Sequence, residues 1–393
     1  NSGFKVYMVE ETTAIGGRMS QLDKTFPTND CSMCIISPKL VEIGKHPNIE
    51  ILTNSKLMGI SGEAGNFKAT ILQEPRYVDL EKCTGCGECL QNCPVAVANE
   101  FNLGLDERKA IFKKYPQAIP NAFAVSKNGL APCRQGCPAG INVQGYVALI
   151  SKGKFRESYE LIRKTIPFPS VCGRICNHPC EAQCNRKDVD SAVAIRALKR
   201  FVSDWVFEHP ESEELKKEGE RESAQQSEVD DKKPKVAIIG AGPAGLTASH
   251  DLALLGYPVT IFEALPEPGG MLRYGIPEYR LPREVLKLEI DNILKLGIEL
   301  RLNIAIGQNL SIDNLEKQGY KAVFLAIGAH QGLNMGIEGE TDSGVLNGVD
   351  FLRDVANRKQ VSLRPKVAVI GGGNVAIDAV QTAYRLGSKE AFI

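Results

Sequence analysis

The sequence predicts a multidomain chain of α/β and α+β class, and three observations predict it. Two segments, starting at Lys235 and Lys366, run from a short β-branched strand through a glycine-rich turn into a helix-forming stretch. Cys83, Cys86, Cys89 and Cys93 crowd one loop ahead of Pro94. Six further cysteines, from Cys133 to Cys184, bracket stretches of helical periodicity. The 393 residues suit about two to four domains. Lys+Arg and Asp+Glu both number 47, so the basic excess of a nucleic-acid binder is missing. Hydrophobic residues at 43% and charged residues at 24% are an ordinary globular balance. No apolar run reaches the ~18 residues of a membrane span, so no membrane insertion is expected. No basic, apolar leader opens the sequence. Five histidines are too few for several His-built metal centres, which leaves the twelve cysteines to be explained.

Residues 1–73 are expected to form part of an FAD-binding domain, because they repeat a later segment. A strand-like run from Gly3 ends at Glu10, and Gly16 and Gly17 follow with Met19 behind them. The run from Gly256 ends at Glu263, and Gly269 and Gly270 follow at the same distances with Met271 behind. The first copy's own GxGxxG would lie upstream of Asn1. Gly387 to Ile393 starts the pattern once more and stops one residue short of the acid. The sequence is therefore expected to be a fragment or processed piece of a longer polypeptide. Cys31 and Cys34 leave three readings open: a redox disulfide, a ligand pair or an incidental turn.

Residues 74–103 are expected to be a 4Fe-4S ferredoxin-type module. The spacing Cys83-x2-Cys86-x2-Cys89-x3-Cys93-Pro94 is the bacterial ferredoxin run, whose thiolates wrap one cube on a tight loop. Gly85 and Gly87 permit the winding. In two-cluster ferredoxins the fourth cysteine serves the neighbouring cluster, so Cys93 ligates either this cube or another.

A connector, 104–131, leads to a small α-helical iron–sulfur domain over 132–207. Cys133-x3-Cys137-Pro138 opens it, and Cys172, Cys176, Cys180 and Cys184 follow four residues apart. Gly173 and Pro179 are expected to break any helix between these. Three apolar stripes predict helices: Val143, Val147 and Ile150; Phe155, Tyr159 and Ile162; Ala194, Leu198, Phe201 and Trp205. The loops between them are expected to hold one or two clusters, although C-x3-C also suits zinc. Residues 208–234 are nearly all charged or polar and are expected to be a disordered linker.

Residues 235–365 carry a Rossmann-type FAD-binding pattern. Lys235 to Ile239 is a strand, and Gly240, Gly242, Pro243, Ala244 and Gly245 form the loop. Leu246 to Leu255 is a helix closed by Gly256. Val259 to Phe262 is a second strand ending at Glu263, roughly twenty residues on, where an acid binds a ribose hydroxyl. The glycines turn the chain, admit the pyrophosphate and pack helix on strand, while the helix N-terminus faces the phosphates. Residues 366–393 start a second, NAD(P)-binding unit, with strand Lys366 to Ile370 and loop Gly371, Gly373, Asn374, Val375 and Ala376. Two such fingerprints suit one FAD and one nicotinamide. The residue that reads the ribose 2′ position lies past Ile393, which leaves NAD and NADP both open.

Residues 3–100, with Gly16 to Cys34 and the ferredoxin run, resemble the flavin- and iron–sulfur-bearing subunit of heterodisulfide reductase. Residues 130–393 resemble the glutamate synthase small subunit. They are also similar to the matching parts of dihydropyrimidine dehydrogenase and the large subunit of NADH-dependent ferredoxin:NADP oxidoreductase. The matching signatures are Cys-Gly-Arg-Ile-Cys (172–176), Pro-Cys-Glu-Ala-Gln-Cys (179–184) and Gly-Gly-Met-Leu-Arg-Tyr-Gly-Ile-Pro (269–277). Tyr-Arg-Leu-Pro (279–282), Leu-Ala-Ile-Gly-Ala (325–329) and Gly-Gly-Gly-Asn-Val-Ala (371–376) complete them. The resemblance implies that Gly270, Met271 and Gly328 line the FAD and that Gly371 to Ala376 meet the nicotinamide. It implies that Cys137, Cys176 and Cys180 serve one cluster, Cys133 and Cys184 another, and that Cys172 is not a ligand. The relatives' CxxC just before Cys133 is absent here, so one cube with a reassigned fourth cysteine is the expectation.

The expected function is a cytoplasmic, anaerobic oxidoreductase passing electrons between NAD(P)H, FAD and 4Fe-4S clusters to other redox subunits or ferredoxin-like carriers. Electron bifurcation follows from family analogy alone. No side chain is required as acid or base. The alternatives are a glutamate synthase small subunit supplying NADPH electrons and a non-catalytic relay subunit.

Overall fold

A computed structural model describes residues 3–127, 129–210, 230 and 232–393. The chain divides into two compact units: Asn1–Pro132 with Gln183–Val193, and Cys133–Ala182 with Ala194–Ile393.

In the first unit, strand Val6–Val9 pairs in parallel with Ile49–Leu52, and helix Ser32–Lys45 lies between them in sequence. A hairpin follows, Ser55–Glu63 against Asn66–Gln73. Two short antiparallel pairs follow the cysteine loop, Ala96–Ala98 with Glu107–Lys109 and Ile111–Phe112 with Ala124–Val125. Ala14, Ile15, Leu40, Tyr115 and Ala118 form the core. Arg76 ties these parts together from a buried position, donating to the carbonyls of Thr13, Ala122 and Phe123 and to the Thr53 hydroxyl. That arrangement satisfies loop carbonyls that no ladder reaches.

The second unit contains a four-stranded parallel sheet in the order Glu299–Arg301, Val259–Phe262, Lys235–Ile239, Tyr320–Leu325. Both faces are covered, as a parallel sheet requires. Val236, Ile238 and Ile261 meet Leu246, Leu286 and Ile290 on one side. Ala237, Ile239 and Phe262 meet Leu315 and Tyr320 on the other. Helix Pro243–Leu254 begins on a proline, which suits its first turn, and Gly256 beyond its end has φ 78°. Helices Val143–Ser151, Phe155–Arg163, Pro169–Ile175 and Ile195–Glu208 make the helical module. Its Phe168 and Val171 enter the same core as Ile238, Leu246 and Leu286, so module and sheet share one apolar interior. Strand Lys366–Ala368, helix Asn374–Arg385 and strand Glu390–Phe392, parallel to the first, close the chain.

Three expectations change. Gly173 does not break a helix; it lies within Pro169–Ile175, where an added Cβ would fall 2.8 Å from Cα of Arg200. Its missing side chain lets two helices touch, while Pro179 starts the next short helix, Pro179–Ala182. The inward stripe of Ile195–Glu208 is Ile195, Lys199, Val202, Ser203 and Val206, one residue on from the apolar positions read from sequence. Phe201 and Trp205 instead pack their rings on Phe155 at 5.2 and 5.0 Å, on a second, half-exposed face. The helix also runs through Glu208, into the expected linker; most of 208–234 lies outside the described residues.

Candidate functional site

The first glycine loop is built from backbone alone. Gly240 has φ +107°, and a Cβ there would lie 2.4 Å from the carbonyl oxygen of Ala326. A Cβ on Gly245 would lie 1.9 Å from the carbonyl oxygen of Gly240, so helix and strand meet with no room for a methyl group. Gly242 caps the helix, with Pro243 and Ala244 exposed in its first turn. The second glycine pair comes across to this cap, because a Cβ on Gly270 would lie 2.8 Å from Cα of Gly242. Met271 then opens the short helix Met271–Tyr274. Gly328, beyond the end of the neighbouring strand, has φ +66°.

Glu263 is buried and holds this loop in place. Its Oε2 accepts the Ala241 N–H at 2.7 Å and its Oε1 accepts the Leu265 N–H at 2.8 Å. Each oxygen keeps a lone pair for a hydroxyl. Arg283 secures the other side, donating to the carbonyls of Leu272 at 3.3 Å and Ile276 at 2.9 Å. A floor of bare backbone beside a helix N-terminus and a fixed carboxylate fits a dinucleotide's pyrophosphate and ribose.

The second loop is more open. Gly371 has φ +114°, Gly373 caps helix Asn374–Arg385, and nothing within 4 Å would meet a Cβ on Gly372 or Gly373. Asn374 and Val375 are exposed, and Ala376 is buried against the helix's packing face. Asp378 on that helix bonds Arg280 at 2.5 Å. Burial pushes the Asp378 carboxyl up, and Arg280 opposes the rise.

The thiols sit where loops meet helices. Gly87, at φ 90°, caps the short helix Glu88–Gln91 that carries Cys89. The Cys83 sulfur accepts the Phe123 N–H at 3.5 Å. Burial pushes the Cys89 thiol up, and neighbouring Cys83 and Cys86 add to it. In the second unit Cys133 lies in Pro132–Gln135, Cys137 follows, Cys172 lies inside Pro169–Ile175, and Cys176 caps that helix. Cys180 is buried in Pro179–Ala182, whereas Cys184 falls in the first unit. Among the described residues no disulfide joins any of the cysteines. Among the described residues no three His, Cys, Asp or Glu close to metal-holding distance. The donor set itself is soft and thiolate-rich, the chemistry iron–sulfur clusters use, and such cages close around their metal.

Two interior charges were not singled out from the sequence. Glu289 is 1% exposed, its Oε1 2.5 Å from the Ser170 N–H and Oε2 3.0 Å from the Val171 N–H. It stands on helix Arg283–Leu294, whose Leu286 lies against Gly269, so one helix supports both the glycine pair and the thiol-bearing helix. Lys199 is 5% exposed on Ile195–Glu208. The available signal was a charge standing within each apolar stripe: Glu289 among Leu286, Ile290 and Ile293, and Lys199 among Ile195, Val202 and Val206.

Comparisons with known proteins agree with this layout. Residues 74–95 match the family model of a 4Fe-4S binding domain, and residues 104–211 that of dihydropyrimidine dehydrogenase domain II, 4Fe-4S cluster. Residues 234–393 match the pyridine nucleotide-disulphide oxidoreductase model. The beta subunit of NADPH-Fe(3+) oxidoreductase from Geobacter sulfurreducens is 45% identical over 267 residues, covering 66% of this chain and 38% of that protein. The glutamate synthase [NADPH] small chain of Escherichia coli is 35% identical over 275 residues, 65% of this chain and 55% of that one. The N-terminal part is similar to an iron–sulfur subunit of CoB–CoM heterodisulfide reductase from Methanopyrus kandleri, 54% identical over 123 residues, 31% of this chain and 19% of the relative. The chain thus spans well under two thirds of the length of these relatives. The matched domains indicate 4Fe-4S clusters, FAD and NAD(P)H as cofactors. Several homologues are subunits of larger redox complexes. Among the described residues no helix is long and apolar enough to cross a membrane.

Proposed function

We propose that this chain is a flavin- and iron–sulfur-dependent oxidoreductase passing electrons from NAD(P)H to a redox subunit or ferredoxin-like carrier. The observation that carries this is the shared interior of the second unit. The thiol-bearing helix Pro169–Ile175 packs through Phe168 and Val171 on the domain whose glycine loop suits FAD. When bound, nicotinamide, flavin and clusters supply hydride transfer and its division into single electrons. Gly240, Gly242, Pro243, Ala244 and Gly245 receive the FAD pyrophosphate, and Glu263 a ribose hydroxyl. Gly270, Met271 and Gly328 line the flavin, and Gly371, Gly373, Asn374, Val375 and Ala376 the nicotinamide dinucleotide. Cys83, Cys86, Cys89 and Cys93 hold one cluster. Cys133, Cys137, Cys176, Cys180 and Cys184 hold one or two more, with Cys172, half-buried within its helix, as a packing residue. Cysteines that serve as cluster ligands suit a reducing cytoplasm.

The test is anaerobic purification of the intact protein, stopped-flow mixing with NADPH or NADH, and EPR of freeze-quenched samples. Rapid flavin bleaching followed by cluster signals is expected. Bleaching with no cluster signal would leave a plain flavin reductase. Signals without bleaching would favour a relay subunit.

A further inference from the structure

Cys31 and Cys34 stand outside the cofactor sites described above, and the fold gives them unequal roles. Cys31 is the N-cap of helix Ser32–Lys45, and Cys34 falls in its first turn. Two intervening residues let that turn fold back, so the Cys34 N–H donates to the Cys31 sulfur at 3.2 Å. A thiolate accepts such a bond better than a thiol does, and the positive end of the helix favours it further. The Cys34 thiol, and after it the Cys34 amide, draw Cys31 below the ordinary thiol range, against desolvation and the charge of Asp23. The same contact with Cys31 pushes Cys34 up. One sulfur is set to attack and the other to keep its proton.

The turn is fixed before any substrate arrives. Ser32 is buried, its N–H donating to the Asp23 carbonyl at 3.1 Å and its hydroxyl to the Leu22 carbonyl. Lys24 pairs with Cys31 across an antiparallel bridge, and the Thr25 N–H donates to the Asp30 carbonyl at 2.9 Å. The closed loop presents two exposed cysteines. An open groove of about 670 Å³ is lined by Cys34 with Met33, Ser37, Pro38, Val41 and Gln117. Its walls are mostly apolar and hold one acid, Glu42, so they suit an uncharged carbon arm better than an anion.

We propose that Cys31 and Cys34 are a dithiol that reduces small, uncharged aliphatic disulfides, Cys31 attacking and Cys34 resolving. The Cys31 thiolate attacks one substrate sulfur, the substrate S–S bond breaks, and the first fragment leaves as a thiolate that takes a proton from water. Cys34 then gives its proton to solvent and its sulfur attacks Cys31, releasing the second fragment as a thiol. The two protein thiols are oxidised to one disulfide, and the substrate is reduced to two thiols. This goes beyond the electron-transfer reading above and does not depend on it.

The experiment is a single-turnover reaction of the full-length protein, purified anaerobically, with bis(2-hydroxyethyl) disulfide. Wild type, C31S and C34S are quenched by alkylation and digested with trypsin, which isolates both cysteines in the peptide Thr25–Lys39. Serine at position 31 keeps the helix cap. Wild type should yield the internal disulfide in that peptide and release two mercaptoethanols for each one formed. C34S should stop at a mixed disulfide on Cys31 and release one, and C31S should leave the peptide unmodified. An unmodified wild-type peptide, or C31S reacting as fast as C34S, overturns the proposal. Equal loss of iron in C31S and C34S makes the two cysteines a ligand pair and overturns it too. Protein purified without flavin or clusters overturns the electron-transfer reading alone, since the peptide still reports the exchange.

Discussion

Glutamine in place of Glu289 removes a pH-dependent weakness from the joint between the helical module and the flavin-side domain. Burial lifts this carboxyl from 4.5 to about 7, even though the Ser170 and Val171 amides favour its charged form. The folded value lies above the unfolded one, so the folded state binds the proton more tightly. Glu289 therefore contributes stability that is present below pH 4.5 and is lost as the pH rises through about 7. At about 1.4 kcal/mol for each tenfold change in proton affinity, the loss approaches about 3 kcal/mol. For a unit of this size that is on the order of 6–12 °C in melting midpoint. Glutamine has the same shape and no charge to bury. Trp205, the only tryptophan, stands on the module's last helix against Phe155 and reports its unfolding by fluorescence. Wild type and E289Q are to be melted anaerobically from about pH 5 to about pH 8. The wild-type midpoint should fall more steeply, the two curves diverging by the amount above. Parallel curves would show that Glu289 does not change its protonation on unfolding and would refute the argument.

The remaining predictions separate local chemistry from packing. G245A should yield protein without bound flavin, because its methyl group would sit 1.9 Å from the Gly240 carbonyl oxygen; a normal flavin spectrum would contradict the loop geometry. G242A should fold, since its methyl meets nothing nearer than 3.9 Å, yet bind flavin weakly by obstructing the pyrophosphate. Iron analysis should find about four fewer irons per chain in C83S and no loss in C172S, whose thiol lies within a helix. G173A should lose about 1–3 kcal/mol by pushing Ile195–Glu208 off its neighbour, measured as a lower melting midpoint with flavin retained.

The chemistry-bearing parts of this protein were legible in its sequence because each is local. The loop from Gly240 to Gly245 must turn, admit phosphate and start a helix within six residues, which leaves few choices of residue type. The spacing Cys83, Cys86, Cys89, Cys93 is set by how far one loop can reach around one cube. The second strand and its Glu263 followed from periodicity and distance along the chain. Contacts between distant segments were not legible in that way. Gly173 has the composition of a helix breaker and becomes a contact point only because Arg200, 27 positions later, arrives against it. The stripe read at Ala194, Leu198, Phe201 and Trp205 was apolar, yet the helix turned its neighbouring face inward, since Phe155 offered the aromatic rings a separate place to pack. Glu289 and Lys199 look like solvated charges until folding removes the water around them. What a charge means depends on the dielectric and partners around it, and those exist only once the tertiary structure has formed.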